Sequence, residues 1–201
     1  MIDVIFAAML AAAPPAPVDF RGYELGSPLE EFRSRPAPVG SQPICSDNSS
    51  HDWLQPTAGM AQAGVVMCSF EEQIGSSRVR AGIPLSPSPY SATVEFYFFE
   101  GRLFRIDAYM DAPAAGTIEE ALTARFGNAV ESRQSTFQTR AGAVFPQAII
   151  VWRHGTQTVT LTAPDLTTQR MSVIYVDVPS SQRVARRVRE IADPARIMGM
   201  P

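Results

Sequence analysis

Ala92-Thr-Val-Glu-Phe-Tyr-Phe-Phe-Glu100-Gly101-Arg-Leu-Phe-Arg-Ile-Asp-Ala-Tyr-Met-Asp111 is the stretch on which the fold turns. Apolar and polar residues alternate on both sides of Glu100-Gly101, the pattern of two half-buried strands around a hairpin turn. With Glu100 and Gly101 alone as a two-residue loop, Phe96 would face Arg105 and Val94 would face Asp107, mixing apolar and charged side chains on each face. A type I turn over Phe98 to Gly101, with Gly101 as a left-handed bulge, instead pairs Phe96 with Phe104, Val94 with Ile106 and Glu95 with Arg105. This second register groups the apolar residues and sets opposite charges across from each other, so it is the one expected.

Working outward, Val65 to Glu72 and Arg78 to Ile83 read as strands about a Gly75-Ser76 turn, and a Pro-rich link from Pro84 to Pro89 leads into the hairpin. Upstream, Ser27-Pro28-Leu29-Glu30 reads as a capping box with Pro at the first helical position, in a short helix ended by Pro36 and Pro38. The plan then repeats. Thr117-Ile118-Glu119-Glu120 is again a capping box, Ile118, Ala121 and Leu122 supply an inward face, and Gly127 is a stop signal. Glu131 to Arg140, Gln147 to Arg153, Thr158 to Ala163 and Arg170 to Val178 follow as strands, with His154-Gly155 inside the second turn, where His154 is expected at positive φ. A last helix, Ser181 to Ala192, gathers Val184, Val188 and Ile191 on one side and Arg183, Arg186, Arg187 and Arg189 on the rest. The expected fold class is therefore α+β: two helix-plus-four-strand antiparallel units, residues 20–111 and 112–201, forming one sheet with helices on one face. Short echoes between the units, such as Tyr109-Met110-Asp111 and Tyr175-Val176-Asp177, fit a duplication.

The chain has 201 residues, a net charge of −3 and no lysine, so all 17 basic residues are Arg. Lysine-dependent chemistry is thereby excluded: Schiff bases, pyridoxal phosphate attachment and the P-loop or kinase phosphate clamp. The mildly acidic balance gives no nucleic-acid footprint. Val4 to Ala13 is a short apolar run followed by Pro14-Pro15-Ala16-Pro17. It suits the hydrophobic region of a secretory signal and is too short to span a bilayer, although Asp3 and Pro14 depart from the usual signal pattern. Residues 1–19 are accordingly expected to be a signal peptide and Pro-rich linker on a periplasmic or secreted protein without an integral membrane span. In such a compartment the two cysteines, Cys45 and Cys68, have only each other as intramolecular partners, and a disulfide is expected.

No catalytic or ligand motif stands above chance. Cys45, His51, Cys68 and His154 match no zinc-ligand spacing, so no metal and no cofactor is expected. A thiol nucleophile at Cys68 would need His51 or His154 as its base, but Cys68 lies in an apolar strand and neither cysteine belongs to a CxxC motif. The acidic pairs Glu30-Glu31 and Glu119-Glu120 sit in first helical turns, where carboxylates favour the helix dipole. No catalytic residue is assigned; the competing class is a small hydrolase or thiol enzyme using His51, Cys68 or His154. In the chosen register Phe96, Phe104, Ile106, Ala108 and Met110 face the helices, with Ile174 and Val176 also turned inward. Tyr97, Leu103, Arg105 and Tyr109, with Tyr175, would then form a patch on the opposite side, of residue types suited to binding unless the Arg-rich helix covers it.

A helix and four antiparallel strands, twice over, in a small exported chain with a disulfide tying the post-helix loop to the sheet, resembles the architecture of β-lactamase inhibitory proteins. The Leu25-Gly26-Ser27 approach to a helix and hairpin is similar to small outer-membrane-assembly lipoproteins, although no Cys lies near the N-terminal segment. Both groups bind other proteins and catalyse nothing, and the resemblance implies the same here, with another envelope or secreted protein as partner.

Overall fold

A computed structural model describes residues 18–85, 89–138, 142–164 and 170–192; the expected signal segment lies, up to residue 17, outside them. In chain order the elements are β1 (Asp19–Phe20), β2 (Tyr23–Glu24), α1 (Leu29–Ser34), β3 (Ser41–Cys45), a 3-10 turn (Asp52–Leu54), α2 (Ala58–Gln62), β4 (Val66–Ile74), β5 (Ser77–Arg80), β6 (Ile83–Pro84), β7 (Ser91–Phe99), β8 (Arg102–Asp111), a 3-10 turn (Ala112–Ala114), α3 (Ala115–Phe126), β9 (Glu131–Gln138), β10 (Val144–His154), β11 (Gln157–Pro164), β12 (Arg170–Asp177) and α4 (Val178–Ala192). Ten strands form one antiparallel sheet in the order β3-β4-β7-β8-β12-β11-β10-β9, with β5 against β4 and β6 against β7. The expected α+β antiparallel class is present. The last strand before α3 and the last before α4 meet at the centre.

The central hairpin takes neither register weighed from sequence. Phe99 pairs with Arg102 around a two-residue turn in which Glu100 has φ 52° and Gly101 φ 72°, the paired positive angles of a primed turn. The positive φ expected at Gly101 is there. The pairing expected for Phe96 with Phe104, Val94 with Ile106 and Glu95 with Arg105 is not: Phe96 faces Ile106, Val94 faces Ala108 and Glu95 faces Asp107. The cause is a bulge in β8, which sets Leu103 opposite Phe98 and Arg105 opposite Tyr97 with Phe104 as the extra residue. One added residue lets Leu103 and Ile106 both point inward while Phe104 turns to the opposite side.

The inner face of the sheet carries Phe70, Val94, Phe96, Ile106, Val173, Leu161 and Trp152, covered by Phe20, Tyr23, Phe32 of α1 and Leu122 of α3. Tyr23, Phe32, Phe70 and Phe96 form a ring cluster with centroids 4.9 to 5.9 Å apart. The other face is not bare. Phe99 and Phe104 there meet Val65, Met60 of α2 and Val184 and Val188 of α4. Helices therefore lie on both faces, which corrects the expectation of one. The amphipathic α4 needs an apolar floor, and the hairpin end of β7–β8 supplies it where the inner face is already filled.

Local signals fared unevenly. Neither expected cap works as such: α1 has Pro28 at its N-cap position without a side-chain cap, and α3 begins at Ala115, ahead of Thr117. Ser27 and its neighbours instead bond to the hairpin, through Gly26 N to Leu103 O (2.7 Å), Leu103 N to Ser27 O (2.9 Å) and Leu29 N to Gly101 O (2.9 Å). Leu122 is buried as expected but Ala121 is exposed, and α3 ends at Gly127 with φ 78°. Cys45 and Cys68 face each other across β3 and β4 and are joined by the expected disulfide. Closing this loop contributes about 3 kcal/mol on the chain-entropy account.

Candidate binding face

The candidate site grows from a fork in the sheet. β4 and β7 pair only over Val66 to Cys68; beyond that point β4 pairs with β5, matching Glu71 to Arg80, and β7 pairs with β6, matching Ala92 to Ile83. At the fork the buried Ser69 hydroxyl donates to Val94 O at 2.7 Å, replacing a ladder bond. On the outer face the fork leaves Glu71, Arg80, Glu95, Tyr97, Arg105, Asp107 and Tyr109 side by side. Arg80 reaches across it to Glu95.

Glu95 and Asp107 stand directly opposite each other, 9% and 1% exposed. Like charges so placed repel, and burial adds a desolvation cost, so both must be compensated. Arg105 donates to Asp107 through Nε and Nη2, each at 2.7 Å. The Arg80 Nη1 donates to Glu95 Oε1 at 2.7 Å. Tyr97 donates its hydroxyl hydrogen to Glu95 Oε2 at 2.7 Å, and Tyr109 donates to Asp107 Oδ2 at 3.2 Å. Burial first, and then the adjoining carboxylates, push both tyrosine pKa values far above their ordinary 10.0. The hydroxyls therefore stay protonated as donors. Burial works against the Arg105 charge, but its hydrogen bonds to Asp107 and that residue's charge outweigh it and raise the pKa.

Glu71, 2% exposed, is a third acid in the same arrangement. Its Oε1 accepts from Gln42 Nε2 at 2.7 Å and Arg78 Nη1 at 3.3 Å, while His51 Nε2 lies 3.4 Å from Oε2. Trp53 stacks on His51 (centroids 5.5 Å apart) and lies under the Arg80 guanidinium at 4.8 Å. The loop bearing these two rings is anchored by Leu54, which is wholly buried against Ile44 and Met67. Adjacent strands thus carry three buried acids, each with its own arginine.

Of the residues expected in a surface patch, Tyr97, Arg105 and Tyr109 come together on this face. Leu103 and Tyr175 do not. Leu103 is 2% exposed and belongs to the inner core, as does Tyr175 at 6%, whose ring meets Phe20 at 6.1 Å. β12 pairs with β8 so that Tyr175 matches the inward Ile106, which turns Ile174 and Val176 outward, against expectation. The Tyr109 and Tyr175 echoes therefore lie on opposite faces. Glu71, Arg80, Glu95 and Asp107 were missed, although Glu95-Phe-Tyr97 and Arg105-Ile-Asp107-Ala-Tyr109 carry the every-second-residue signal of a polar face. Cys68 has no thiol, being bonded to Cys45. His154 is the last residue of β10, beside Phe126, and not a positive-φ turn residue; Gly155 takes that angle, φ 59°. Four strands separate it from β4.

Arg80, Thr93, Glu95, Tyr109 and Arg170 line a cavity of about 460 Å³ at the fork. A smaller one of about 200 Å³ shares Thr93, Tyr109 and Arg170 and adds Ser91 and Asp111. Next to this cleft the outer face runs on in matched rows: Ser172, Ile174 and Val176 of β12, Thr162, Thr160 and Thr158 of β11, and Ile149, Val151 and Arg153 of β10. All but the exposed Arg153 are half-exposed, while α4 packs over Phe99 and Phe104. Among the described residues no helix is long and apolar enough to cross a membrane, and no group of three His, Cys, Asp or Glu side chains is placed to hold a metal ion. The chain matches no known protein-family model, no characterised protein and no solved structure.

Proposed function

We propose that this chain is an exported, non-catalytic binding module, and that another envelope or secreted protein docks on the outer face of β10, β11 and β12. The observation that carries the reading is the half-exposed block of Ile149, Val151, Thr158, Thr160, Thr162, Ile174 and Val176. β-Branched side chains held on a sheet lose little rotamer freedom when a partner covers them, so a face built of them binds at low entropic cost. The charged floor beside it supports the same reading. Its acids are engaged by arginines and tyrosine hydroxyls, a composition suited to a rigid platform rather than to proton transfer, which needs a group poised to gain and lose a proton near neutral pH. Export is supported by the disulfide, a bond characteristic of oxidising compartments.

A photo-crosslinking amino acid at Thr160, in the middle of the block, tests the proposal in an envelope extract of the producing cell. The expected result is a discrete adduct that is absent when the same group replaces Glu119, an exposed residue of α3. Equal labelling from both positions, or none from Thr160, would overturn it.

A further inference from the structure

We infer that the cleft between Arg80 and Arg170 receives an acidic side chain of the protein docked on the adjoining rows; the inference rests on the docking reading above. The cleft has a polar floor of Thr93, Glu95 and Tyr109 and an arginine on each side. Its internal charges cancel: Arg80 holds Glu95 and Arg105 holds Asp107. Arg170 and Asp111 remain, facing each other across β12 and β8. Arg170 is exposed at the start of β12 and, among the described residues, makes no ion pair or side-chain hydrogen bond. Asp111, opposite it on β8, balances its charge without pairing with it among the described residues, so the Arg170 guanidinium is left open beside the docking rows.

A carboxylate is the group this geometry fits. The guanidinium of Arg170 offers a planar fork of donors that matches two carboxylate oxygens, and the Thr93 hydroxyl can give another hydrogen bond from the floor. Glu95 would repel an incoming anion if bare, but Arg80 and Tyr97 already occupy both of its oxygens. The cavity is large enough for a side chain and is lined by polar groups, unlike the mostly apolar sites that hold small hydrophobic ligands. Asp111 is the internal competitor. It is the partner of Arg170 across the β8–β12 ladder, exposed, and unpaired with it among the described residues.

The test is a titration of the isotope-labelled protein, followed by NMR, with acetyl-Ala-Glu-Ala-amide and its Gln counterpart. The Glu peptide is expected to shift Thr93, Tyr109 and Arg170 saturably, and the Gln peptide is not. Arg170→Gln should weaken the interaction by about tenfold or more, the loss of a charged hydrogen-bonded pair. Asp111→Asn should tighten it severalfold by removing the competing carboxylate, an effect that a merely structural role for Arg170 would not produce. Equal shifts from both peptides, an unchanged titration in Arg170→Gln, or displacement by inorganic phosphate at lower concentration would overturn the inference. If the titration fails while the Thr160 adduct persists, the carboxylate assignment falls and the docking reading stands. A successful titration without that adduct removes the docking reading, and this inference with it.

Discussion

On its inner face the β7–β8 hairpin carries Val94, Phe96, Phe98, Ile106, Ala108 and Met110 into a core with Tyr23, Phe32 and Phe70, while on its outer face the same two strands carry Glu95, Tyr97, Arg105, Asp107 and Tyr109. The inner residues stabilise the fold by area removed from water, which scales with size and tolerates changes of shape. The outer residues are buried charges, whose attraction is largely offset by desolvation. Their contribution is specificity. A one-residue slip of β7 would turn Glu95 toward the core and take it away from Arg80 on β5, so the outer network penalises wrong registers more than it rewards the right one.

The comparison can be broken at its stronger end first. Phe96→Ala removes a ring that packs against three others, those of Tyr23, Phe32 and Phe70, and should cost about 3 to 5 kcal/mol in a denaturant titration. Arg105→Ala should cost about 3 kcal/mol, because Asp107 is left buried and uncompensated. Adding Asp107→Asn to Arg105→Ala should then recover much of that loss, whereas further destabilisation would mean the ion pair was not its cause. A smaller effect comes at high pH. Burial raises the pKa of Tyr97, Tyr109 and Tyr175 above 10.0, so the folded chain holds these protons more tightly than the unfolded one. Their stabilisation is complete below about pH 10 and is lost as the pH rises through and beyond it. Ultraviolet titration should show these tyrosines ionising together with alkaline unfolding. Ionisation near pH 10 with the fold intact would contradict the burial.

Much of the fold was legible because strand alternation is a strong signal: β7, β8, β11 and β12 lie close to where the pattern put them. The register was not. Alternation gives parity but not the position of a bulge, and the extra residue at Phe104 reassigned every cross-strand partner between Tyr97 and Thr93. That is why the Glu95–Asp107 pairing, the heart of the charged face, could not be seen, and why Glu95 was matched to Arg105. β3 was hidden by Pro43, which argues against a strand except at an edge, where β3 lies. The disulfide needed only a count of two cysteines. Tyr175 was misplaced because a local echo of Tyr109 says nothing about the inter-strand register that decides which face a side chain takes.

Thr160→Arg tests the central claim most directly, because it places a large charged group in the middle of the open rows and allows folding and docking to be read from one preparation. Stability should stay within about 0.5 kcal/mol of the unaltered protein, as for other surface substitutions, while a photo-crosslinker at Ser172 loses its adduct. A loss of several kcal/mol would mean that the rows are part of a packed core. An undiminished adduct would mean that the partner docks elsewhere.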